Sequence, residues 1–583
     1  MAETTDNSKA FTGRTDILRI LQQQGEISSE QADQVRRQQR RSIGKGPADV
    51  LMEMQILSEE AIFRAAAGAN SFDFEILADQ EIPEESIASV PVKVVMHYRV
   101  MPVRIEDGIL TVAFSNPPTM RDRENMRLVL ATRIKPVIAT PSDINRAIKQ
   151  YYGLGAETVM QIRQDRGLQD RIEKVVYEDQ DLAEESQDTA SIIHLVNQIL
   201  LEALEMNATD VHIEPFEAKI QLRYRIDGML RIIPTPAGVR ELHAAITSRL
   251  KVMANLDIAE KRLPQDGRIR VRLGNEEFDL RVSIMPTRHG ETLNMRILNR
   301  STIFFDLGQL GLEKEQMSIF NQLVEMPHGI ILVTGPTGSG KTTTLYAALE
   351  KTNKTERKVI TVEDPIEYQL EGISQIQIHA RIGLTFSAAL RSILRHDPDI
   401  VLVGEIRDSE TAEIAIRAAL TGHLVLSTLH TNDSIGAVNR LVDMGCENFL
   451  VASSLRAVLA QRLVRRICPH CRVPDEDVPD RILEEIAETL DLEPDDLELT
   501  KGAGCVECNQ NGYRGRVAIY EFFLNSERFE DMICREAANT EIRLEAYKYG
   551  MRNLRMDGWR KAHKGLTSIE EVLRLTSTSD ISY

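Results

Sequence analysis

The sequence predicts an α/β core with a parallel sheet, preceded by α+β domains and carrying a metal-binding insert. Four observations support this prediction. From Gly311 onward, apolar strand-like runs alternate with helical patterns, which is typical of a parallel sheet covered on both faces. A glycine-rich loop joins one of these runs to a helix, and two C-x-x-C pairs follow later in the chain. Upstream, strand-like alternation is mixed with single helical segments, which indicates α+β domains.

The length and charge of the chain narrow the possible functions. At 583 residues the chain should hold three or four domains, because single cores stop growing near roughly 250–300 residues. The formal net charge of -18 disfavours general binding to nucleic acid or anionic lipid. The chain contains no apolar run of about 18 residues and no signal-peptide pattern at its N-terminus. We therefore expect a cytoplasmic protein that contacts a membrane only through partners.

The first part of the chain predicts two small domains and a linker. Residues 1–65 show a helical pattern, and residues 66–155 show an α+β pattern with a hairpin signal at Asp107-Gly108. The acidic stretch within residues 156–189 is typical of a linker. An anionic ligand or a solvated charged face could explain four arginines in the helical module: Arg36, Arg37, Arg40 and Arg41.

Residues 190–305 predict a second α+β domain that is rich in arginine. A helical segment comes first, and strand-like alternation follows. One interpretation is ordinary surface charge along half-exposed strands. The other is that one or two arginines reach a nucleotide phosphate in a neighbouring domain or subunit. The pattern alone does not choose among the arginines concerned, which are Arg223, Arg225, Arg268, Arg270, Arg272, Arg281 and Arg296.

The core domain, residues 306–583, contains a phosphate-binding loop. An apolar run ending at Val333 leads into the loop, and a helical segment follows it, which is the order that a P-loop requires. Glycines let backbone N–H groups line a cavity for phosphates, a lysine supplies full positive charge, and a threonine hydroxyl suits Mg²⁺. The predicted nucleotide-binding residues are Gly335, Pro336, Thr337, Gly338, Ser339, Gly340, Lys341, Thr342 and Thr343.

Carboxylates follow two of the predicted strands of the core. Glu363 and Glu367 come after one apolar run, at the edge where the nucleotide should lie. Hydrolysis needs one carboxylate to orient water and another to hold Mg²⁺, and this cluster could supply both. After the next run, Gly404 occupies the position where an aspartate is usual, so we expect Glu405 to take its role.

Two histidines and four cysteines are further candidates. His423 and His430 flank one apolar run, and they are either ordinary strand-end residues or sensors of a γ-phosphate. Two C-x-x-C pairs within about residues 465–515 have the spacing of a structural Zn²⁺ site, with His470 as a less favoured ligand. The predicted ligands are Cys468, Cys471, Cys505 and Cys508.

The ordered motifs resemble the secretion-type ATPases, the motor family that powers type II secretion and type IV pilus extension in bacteria. The similarity covers about residues 190–576 closely and the amino-terminal part more weakly. Its markers are the P-loop, the paired C-x-x-C motifs and the segments TDVHIEP, RYRIDG, QDGR, RVSIMPT, VEDPIEY, LRHDPDIVLVGEIRD, TGHLVLSTLHTND and GLTSIEEVLRLT. The resemblance implies a RecA-like core, a PAS-like domain at 190–305 and an amino-terminal docking domain.

The resemblance also implies roles for individual residues. It places ATP and Mg²⁺ on Lys341 and Thr342, and it matches Glu367 to the carboxylate proposed to activate water. Glu405 becomes the atypical metal-site acid, with Glu363 in the same acidic box as Glu367. The remaining matches are the histidine box and the two arginines expected to reach the nucleotide from the preceding domain: His423, His430, Arg281 and Arg296.

The partners that the resemblance implies are those of a membrane-bound machine. A homo-hexamer would act on an inner-membrane platform protein, with a cytoplasmic docking protein at its amino terminus and no direct contact with nucleic acid. The tetracysteine module favours the extension or secretion branch over retraction motors. Some members bind cyclic di-GMP through an Arg-Leu-Gly motif, which residues 41–47 follow only loosely, since Pro47 interrupts it.

Two other functions are compatible with a P-loop. A DNA-translocating ATPase would also form a ring, although the acidic charge balance disfavours it. A regulatory scaffold could bind nucleotide without hydrolysing it. The sequence does not distinguish a pilus from a secretion pseudopilus.

Overall fold

The chain divides into two units in the computed structural model, Met1–Asn299 and Arg300–Tyr583. The structure describes residues 17–41, 46–78, 80–155, 187–236, 238–273, 276–299 and 307–576.

The first unit begins with helices around a small sheet. Strands β1 and β2 are antiparallel, β2 and β3 are parallel, and the order is β1-β2-β3. The strands are β1 (Val100–Glu106), β2 (Ile109–Phe114) and β3 (Arg133–Ile138). The helices are α1 (Ile17–Gln23), α2 (Ser29–Arg41), α3 (Pro47–Glu53), α4 (Glu59–Ala69), α5 (Glu84–Ser89), α6 (Val92–Tyr98), α7 (Met120–Leu130) and α8 (Pro141–Tyr152).

One hydrophobic core joins these helices to the small sheet. It runs from Ile17 of α1 to Tyr152 of α8 and includes the buried side chain of Phe63. The predicted hairpin is confirmed, because Asp107 and Gly108, both with positive φ, connect the antiparallel strands β1 and β2.

A six-stranded antiparallel sheet completes the first unit, in the order β6-β5-β4-β9-β8-β7. Alternate side chains such as Leu280 and Val282 point into a core covered by helices, and the intervening side chains form a polar face. The helices are α9 (Gln187–Glu205) and α10 (His243–Met253). The strands are β4 (Ala208–Pro215), β5 (Ile220–Ile226), β6 (Met229–Ile233), β7 (Gln265–Leu273), β8 (Glu276–Thr287) and β9 (Gly290–Asn299).

The second unit is built on a seven-stranded sheet in the order β12-β11-β13-β14-β10-β15-β18, with a separate two-stranded sheet, β16-β17. Neighbouring strands of the large sheet are parallel except for the edge strand β18. The strands are β10 (Gly329–Thr334), β11 (Val359–Glu363), β12 (Ser374–Gln377), β13 (Ile400–Val403), β14 (Leu424–Leu429), β15 (Leu455–Ile467), β16 (Arg472–Pro474), β17 (Thr500–Gly502) and β18 (Tyr513–Leu524).

Helices cover both faces of this sheet, as the sequence pattern predicted. Ile330 and Leu332 of β10 pack into one hydrophobic cluster. Ile331 and Val333 pack into another cluster on the opposite face. The helices of this unit are α11 (Lys314–Val324), α12 (Lys341–Thr352), α13 (Phe386–Ile393), α14 (Ser409–Leu420), α15 (Gly436–Asp443), α16 (Asn448–Ser454), α17 (Asp480–Leu490), α18 (Glu527–Cys534), α19 (Asn539–Lys548), α20 (Leu554–His563) and α21 (Ile569–Leu575).

The predicted fold class is therefore confirmed: an α/β core with a mostly parallel sheet. Within the described ranges, we find no helix with the length and apolar composition needed to cross a bilayer.

Candidate nucleotide site and metal centre

The phosphate-binding loop connects the carboxyl end of β10 to the first turn of α12. Gly335 has a φ of +150° and Gly340 a φ of +89°, both outside the range that L-residues favour. A Cβ atom on Gly335 would lie 2.6 Å from the Gln461 carbonyl oxygen and from Ser339 Oγ. Glycine is therefore required at Gly335 for two reasons, the backbone conformation and the close approach of β15.

Lys341 places its ammonium group inside the loop. Its Nζ donates hydrogen bonds to the carbonyl oxygens of Gly335 at 2.8 Å and Pro336 at 3.1 Å. Burial lowers the pKa of Lys341 to about 8, an effect that Arg462 increases and Glu405 opposes. A partly desolvated cation in a concave loop is well suited to bind a phosphate, whose charge would restore the protonated form.

The three threonines at the start of α12 differ in their exposure to solvent. Thr342 and Thr343 are exposed, whereas Thr344 is buried and donates to Gln461 Oε1 at 2.8 Å. At the end of β10, the hydroxyl groups of Thr334 and Thr431 lie 2.6 Å apart. Contacts with β15 and with the segment after β14 thus hold both ends of the loop in place. The hydroxyl groups of Thr342 and Thr343 stay accessible to solvent.

Glu363 lies at the end of β11 in a buried hydrogen-bond network. Its carboxylate accepts hydrogen bonds from the hydroxyl of Tyr346 on α12, from Thr361 Oγ1 at 2.7 Å and from Gln375 Nε2 at 3.2 Å. The side chain is 4% exposed. Glu363 therefore ties the acidic segment to the helix that follows the P-loop. Glu367, four residues later, is half-buried.

Glu405 follows β13 and holds two side chains. Its Oε1 lies 2.6 Å from Arg407 Nη2, and its Oε2 lies 3.5 Å from His430 Nε2. The carboxylate is 13% exposed and close enough to Lys341 to raise the pKa of that lysine. The structure thus brings Lys341, Glu405 and His430 together at the carboxyl edge of the sheet, where ligands of such folds bind.

The arginines of the first unit form a row across its sheet. Arg268, Arg281 and Arg296 are directly opposite one another on β7, β8 and β9. Asp210 on β4 is opposite Arg296, and its Oδ1 lies 3.2 Å from Arg296 Nε. Like charges directly opposite destabilise a sheet, and the carboxylate of Asp210 offsets part of this repulsion.

The four cysteines of the two C-x-x-C pairs converge on one point. The Sγ atoms of Cys468 and Cys505 are 3.8 Å apart, as are those of Cys471 and Cys508, and all four lie within 4.8 Å of one another. Four sulfurs at about 2.3 Å from a tetrahedral zinc ion would be about 3.8 Å apart, whereas a disulfide would need about 2.0 Å. The geometry fits Zn²⁺ bound by four cysteines, without the exposed His470.

About two thirds of the chain, including parts of both units, match a known family. A family model described as type II/IV secretion system protein matches residues 185–574. The chain belongs to the type II/IV secretion system protein family. The resemblance drawn from the motifs is therefore confirmed. A second model, the MshEN domain, matches residues 72–158.

Relatives in this family align with most of the chain. The type IV pilus assembly ATPase PilB of Myxococcus xanthus is 43% identical over 505 residues, 86% of this chain and 88% of the relative. Type II secretion system protein E of Pseudomonas aeruginosa is 48% identical over 455 residues, 76% of this chain and 88% of the relative. Type II secretion system ATPase E of Vibrio cholerae is 44% identical over 473 residues, 80% and 92% respectively. The chain is an ATPase of the secretion family.

The oxygen donors of this secretion ATPase fit Mg²⁺ as well as ATP. Mg²⁺ prefers few protein ligands together with phosphate oxygens. The accessible hydroxyl of Thr342 and the carboxylate of Glu405 are the groups that would hold the ion. When bound, Mg²⁺ would neutralise charge on the phosphates.

The structure does not bring His423 to this site. The His423 carbonyl oxygen accepts a hydrogen bond from the N–H of Gly329, at the amino end of β10, and its Nδ1 lies 2.9 Å from the Ala418 carbonyl oxygen. The P-loop follows the opposite end of that strand. A strand of six residues spans about 20 Å, so within this unit His430 is near the P-loop and His423 is not.

Three residues at the secretion ATPase site were not anticipated from the sequence. Arg462 on β15 is buried and lies beside Lys341 and Gly335. Arg407 pairs with Glu405, which raises the pKa of the arginine. Tyr346 holds Glu363. Arg407 lies within the marker segment LRHDPDIVLVGEIRD, but the segment does not indicate its pairing with Glu405. The signal for Arg462 is its place on a strand adjacent to the P-loop strand.

Backbone N–H groups favour the thiolate form of Cys508, whereas burial favours the thiol form of Cys471 and Cys505. Burial acts to raise the pKa of the Cys508 thiol, but N–H donors from Cys505, Gly512 and Asn511 outweigh it and lower the pKa to about 7. Burial raises the pKa of Cys471 to about 12, although the N–H of Gly504 opposes this. A metal ion would supply the charge that keeps all four sulfurs deprotonated.

Proposed function

We propose that the chain is a hexameric motor that couples ATP hydrolysis to assembly of a type IV pilus or a type II secretion pseudopilus through an inner-membrane platform protein. The observation that carries this proposal is the similarity, across most of both chains, to relatives named for pilus assembly and for type II secretion. A docking protein at the amino terminus, and a location at the inner membrane through partners, belong to the same proposal.

In this proposal the P-loop binds ATP and the carboxylates around it organise hydrolysis. Glu405 binds Mg²⁺, and its contacts with Arg407 and His430 hold its carboxylate in position. Glu367 orients the attacking water, a role that suits its half-buried carboxylate better than the fully buried one of Glu363. Glu363 positions that segment through Tyr346.

Phosphate release by the purified protein, with and without double-stranded DNA, tests the proposed function. We expect release that DNA does not stimulate. Strong stimulation by DNA would favour a translocase, and binding without release would favour a nucleotide-binding scaffold. The sequence disfavours cyclic di-GMP binding, because Pro47 interrupts the motif. Residues 42–45 of that segment lie outside the described ranges, so this stays a prediction.

Arg281 and Arg296 are proposed to complete the site from the first unit. The charge of a transferring phosphoryl group is largest in the transition state, so arginines that meet it should act on turnover more than on binding. We expect Arg281→Ala and Arg296→Ala to lower kcat at least about tenfold, with a change in ATP affinity of less than about threefold.

Arg272→Ala is the matched control for the arginine variants, because Arg272 lies at the far end of β7 and is exposed. Steady-state kinetics and nucleotide binding should be measured on all three variants. A loss of ATP affinity as large as the loss of kcat would contradict the proposed role.

ATP affinity is expected to fall as pH rises above about 8. Burial lowers the pKa of Lys341 to about 8, so the free protein loses this ammonium charge as pH rises through that value. Bound phosphates favour the charged form, and binding then takes up a proton. The dissociation constant should rise by up to about tenfold per pH unit in this range.

Fluorescence titration with a labelled ATP analogue from about pH 7 to 9 measures this effect on Lys341. Lys341→Arg is the control, since a guanidinium stays charged throughout the range. A constant dissociation constant for the unmodified protein would show that Lys341 keeps its charge without phosphate.

A further inference from the structure

The segment after β14, residues 431–434, is tied to the strands around the P-loop. The N–H of Thr431 donates to Thr334 Oγ1 at 2.9 Å, at the last residue of β10. The carbonyl oxygen of Asn432 accepts a hydrogen bond from Arg462 Nη2 at 2.8 Å. Hydrogen bonds therefore hold residues 431 and 432 against β10 and β15.

The second half of the same segment is tied to the carboxyl-terminal part of the unit. Asp433 pairs with Arg543 of α19, with 2.7 Å between Oδ2 and Nη2. Ser434 donates from its backbone N–H at 2.8 Å and from its Oγ at 2.5 Å, both to Oε1 of Glu521. Residues 431–434 thus connect the strands beside the P-loop to β18 and α19.

Glu521 is an unusual residue to find inside a sheet. It lies on β18 opposite Ala460 of β15, and it is 3% exposed. Burial raises the pKa of Glu521 to about 7, and the nearby Asp433 adds to this shift, while the donors of Ser434 and the charge of Arg543 oppose it. A buried carboxyl group is stabilised mainly by its hydrogen bonds, and the donors that contact it come from residue 434.

His430 is the residue immediately before this segment. Its Nε2 lies 3.5 Å from Glu405 Oε2, and its side chain is 51% exposed. Because half of the ring faces solvent, packing alone does not hold it in place. Residues 431–434 follow His430 directly, so their backbone helps to set the direction of the ring, together with β14 and Glu405.

We propose that Glu521 is a positioning residue that holds Ser434, fixes residues 431–434 and so keeps His430 beside Glu405. This inference rests on the proposed function, which places Glu405 and His430 at the hydrolysis site. The hydrogen bonds that Glu521 accepts come from Ser434 and not from the P-loop, so its loss should slow the chemical step and leave ATP binding intact.

The test compares two substitutions of Glu521. Glu521→Leu removes both acceptor oxygens, and we expect kcat to fall about tenfold with KM for ATP changed less than about twofold. Glu521→Gln keeps a carbonyl oxygen that can accept the hydrogen bonds of Ser434, so kcat should return to within about twofold of the unmodified protein.

Glu571→Leu is the matched control for a general loss of stability. Glu571 is also fully buried, but it accepts hydrogen bonds from Arg465 and Arg574 and not from residues 431–434. Its substitution should lower the melting temperature without the tenfold loss of kcat. Equal losses of kcat in Glu521→Leu and Glu571→Leu would show a purely structural role and overturn the inference.

The double variant Glu521→Leu, His430→Ala distinguishes failure of this inference from failure of the proposed function. If Glu521 acts through His430, Glu521→Leu should add less than about twofold to the loss caused by His430→Ala. Losses that multiply would overturn the inference while leaving the role of His430 intact. Full turnover by His430→Ala alone would instead overturn the assignment of His430 to the hydrolysis site.

Discussion

Replacing Lys341 with alanine should lower ATP turnover by at least about 100-fold. Lys341 carries the only full positive charge on the loop between β10 and α12, and its Nζ lies within hydrogen-bond distance of the Gly335 and Pro336 carbonyl oxygens. Without it, the P-loop meets the charge that develops on the phosphates with backbone dipoles and no charged side chain of its own. Phosphate release by the purified protein measures the effect directly.

Lys351→Ala is the matched control for this substitution, because Lys351 is exposed in the last turn of the same helix, α12. This variant should keep the turnover of the unmodified protein. Turnover of Lys341→Ala within about threefold of the unmodified protein would mean that the P-loop is not the site of hydrolysis.

Replacing Cys471 with serine should remove the metal and lower the melting temperature by about 10 °C, since structural zinc contributes many kcal/mol to the folding of a small site. The cysteines join the end of β15 to the start of β18, where the N–H of Cys468 donates to the Gly512 carbonyl oxygen at 2.9 Å. Loss of the ion therefore loosens two strands of the main sheet.

Metal analysis and thermal unfolding check this prediction for Cys471→Ser. Freshly purified unmodified protein should contain about one zinc ion per chain, and a chelator should reproduce the effect of the substitution. Cys534→Ser is the control, because Cys534 is exposed and lies outside the four-cysteine group. Absence of zinc from the unmodified protein would contradict the four-cysteine site.

The sheet and the metal centre could be predicted because their signals are local. Four consecutive apolar residues at Ile330–Val333 indicate a buried parallel strand, and both faces of that strand are indeed packed. The spacing of a C-x-x-C pair places its two thiols close together. Two such pairs therefore indicate one zinc site with four cysteine ligands. Neither inference needs knowledge of distant contacts.

The finer features of the site depend on contacts between distant parts of the chain. The sequence shows Glu363 and Glu367 as similar acids, but only the fold places Tyr346 against Glu363. His423 and His430 flank β14 as the pattern indicated, but only the fold shows that His430 contacts Glu405. Arg462 approaches the P-loop because β15 pairs with β10, a neighbour relation that alternation of apolar residues does not specify.

These contacts suggest how hydrolysis is connected to the rest of the unit. Glu405 contacts His430 directly, and the segment after His430 contacts β18 and α19. A change at the phosphate could therefore reach the carboxyl-terminal helices through hydrogen bonds.

The central claim is that ATP turnover at Lys341 drives assembly of a fibre. The most direct measurement is fibre assembly, or type II secretion, in cells whose only copy of the gene carries Lys341→Ala, at the protein level of the unmodified chain. The proposed function predicts that assembly or secretion is lost. Normal fibres or normal secretion in these cells would contradict it.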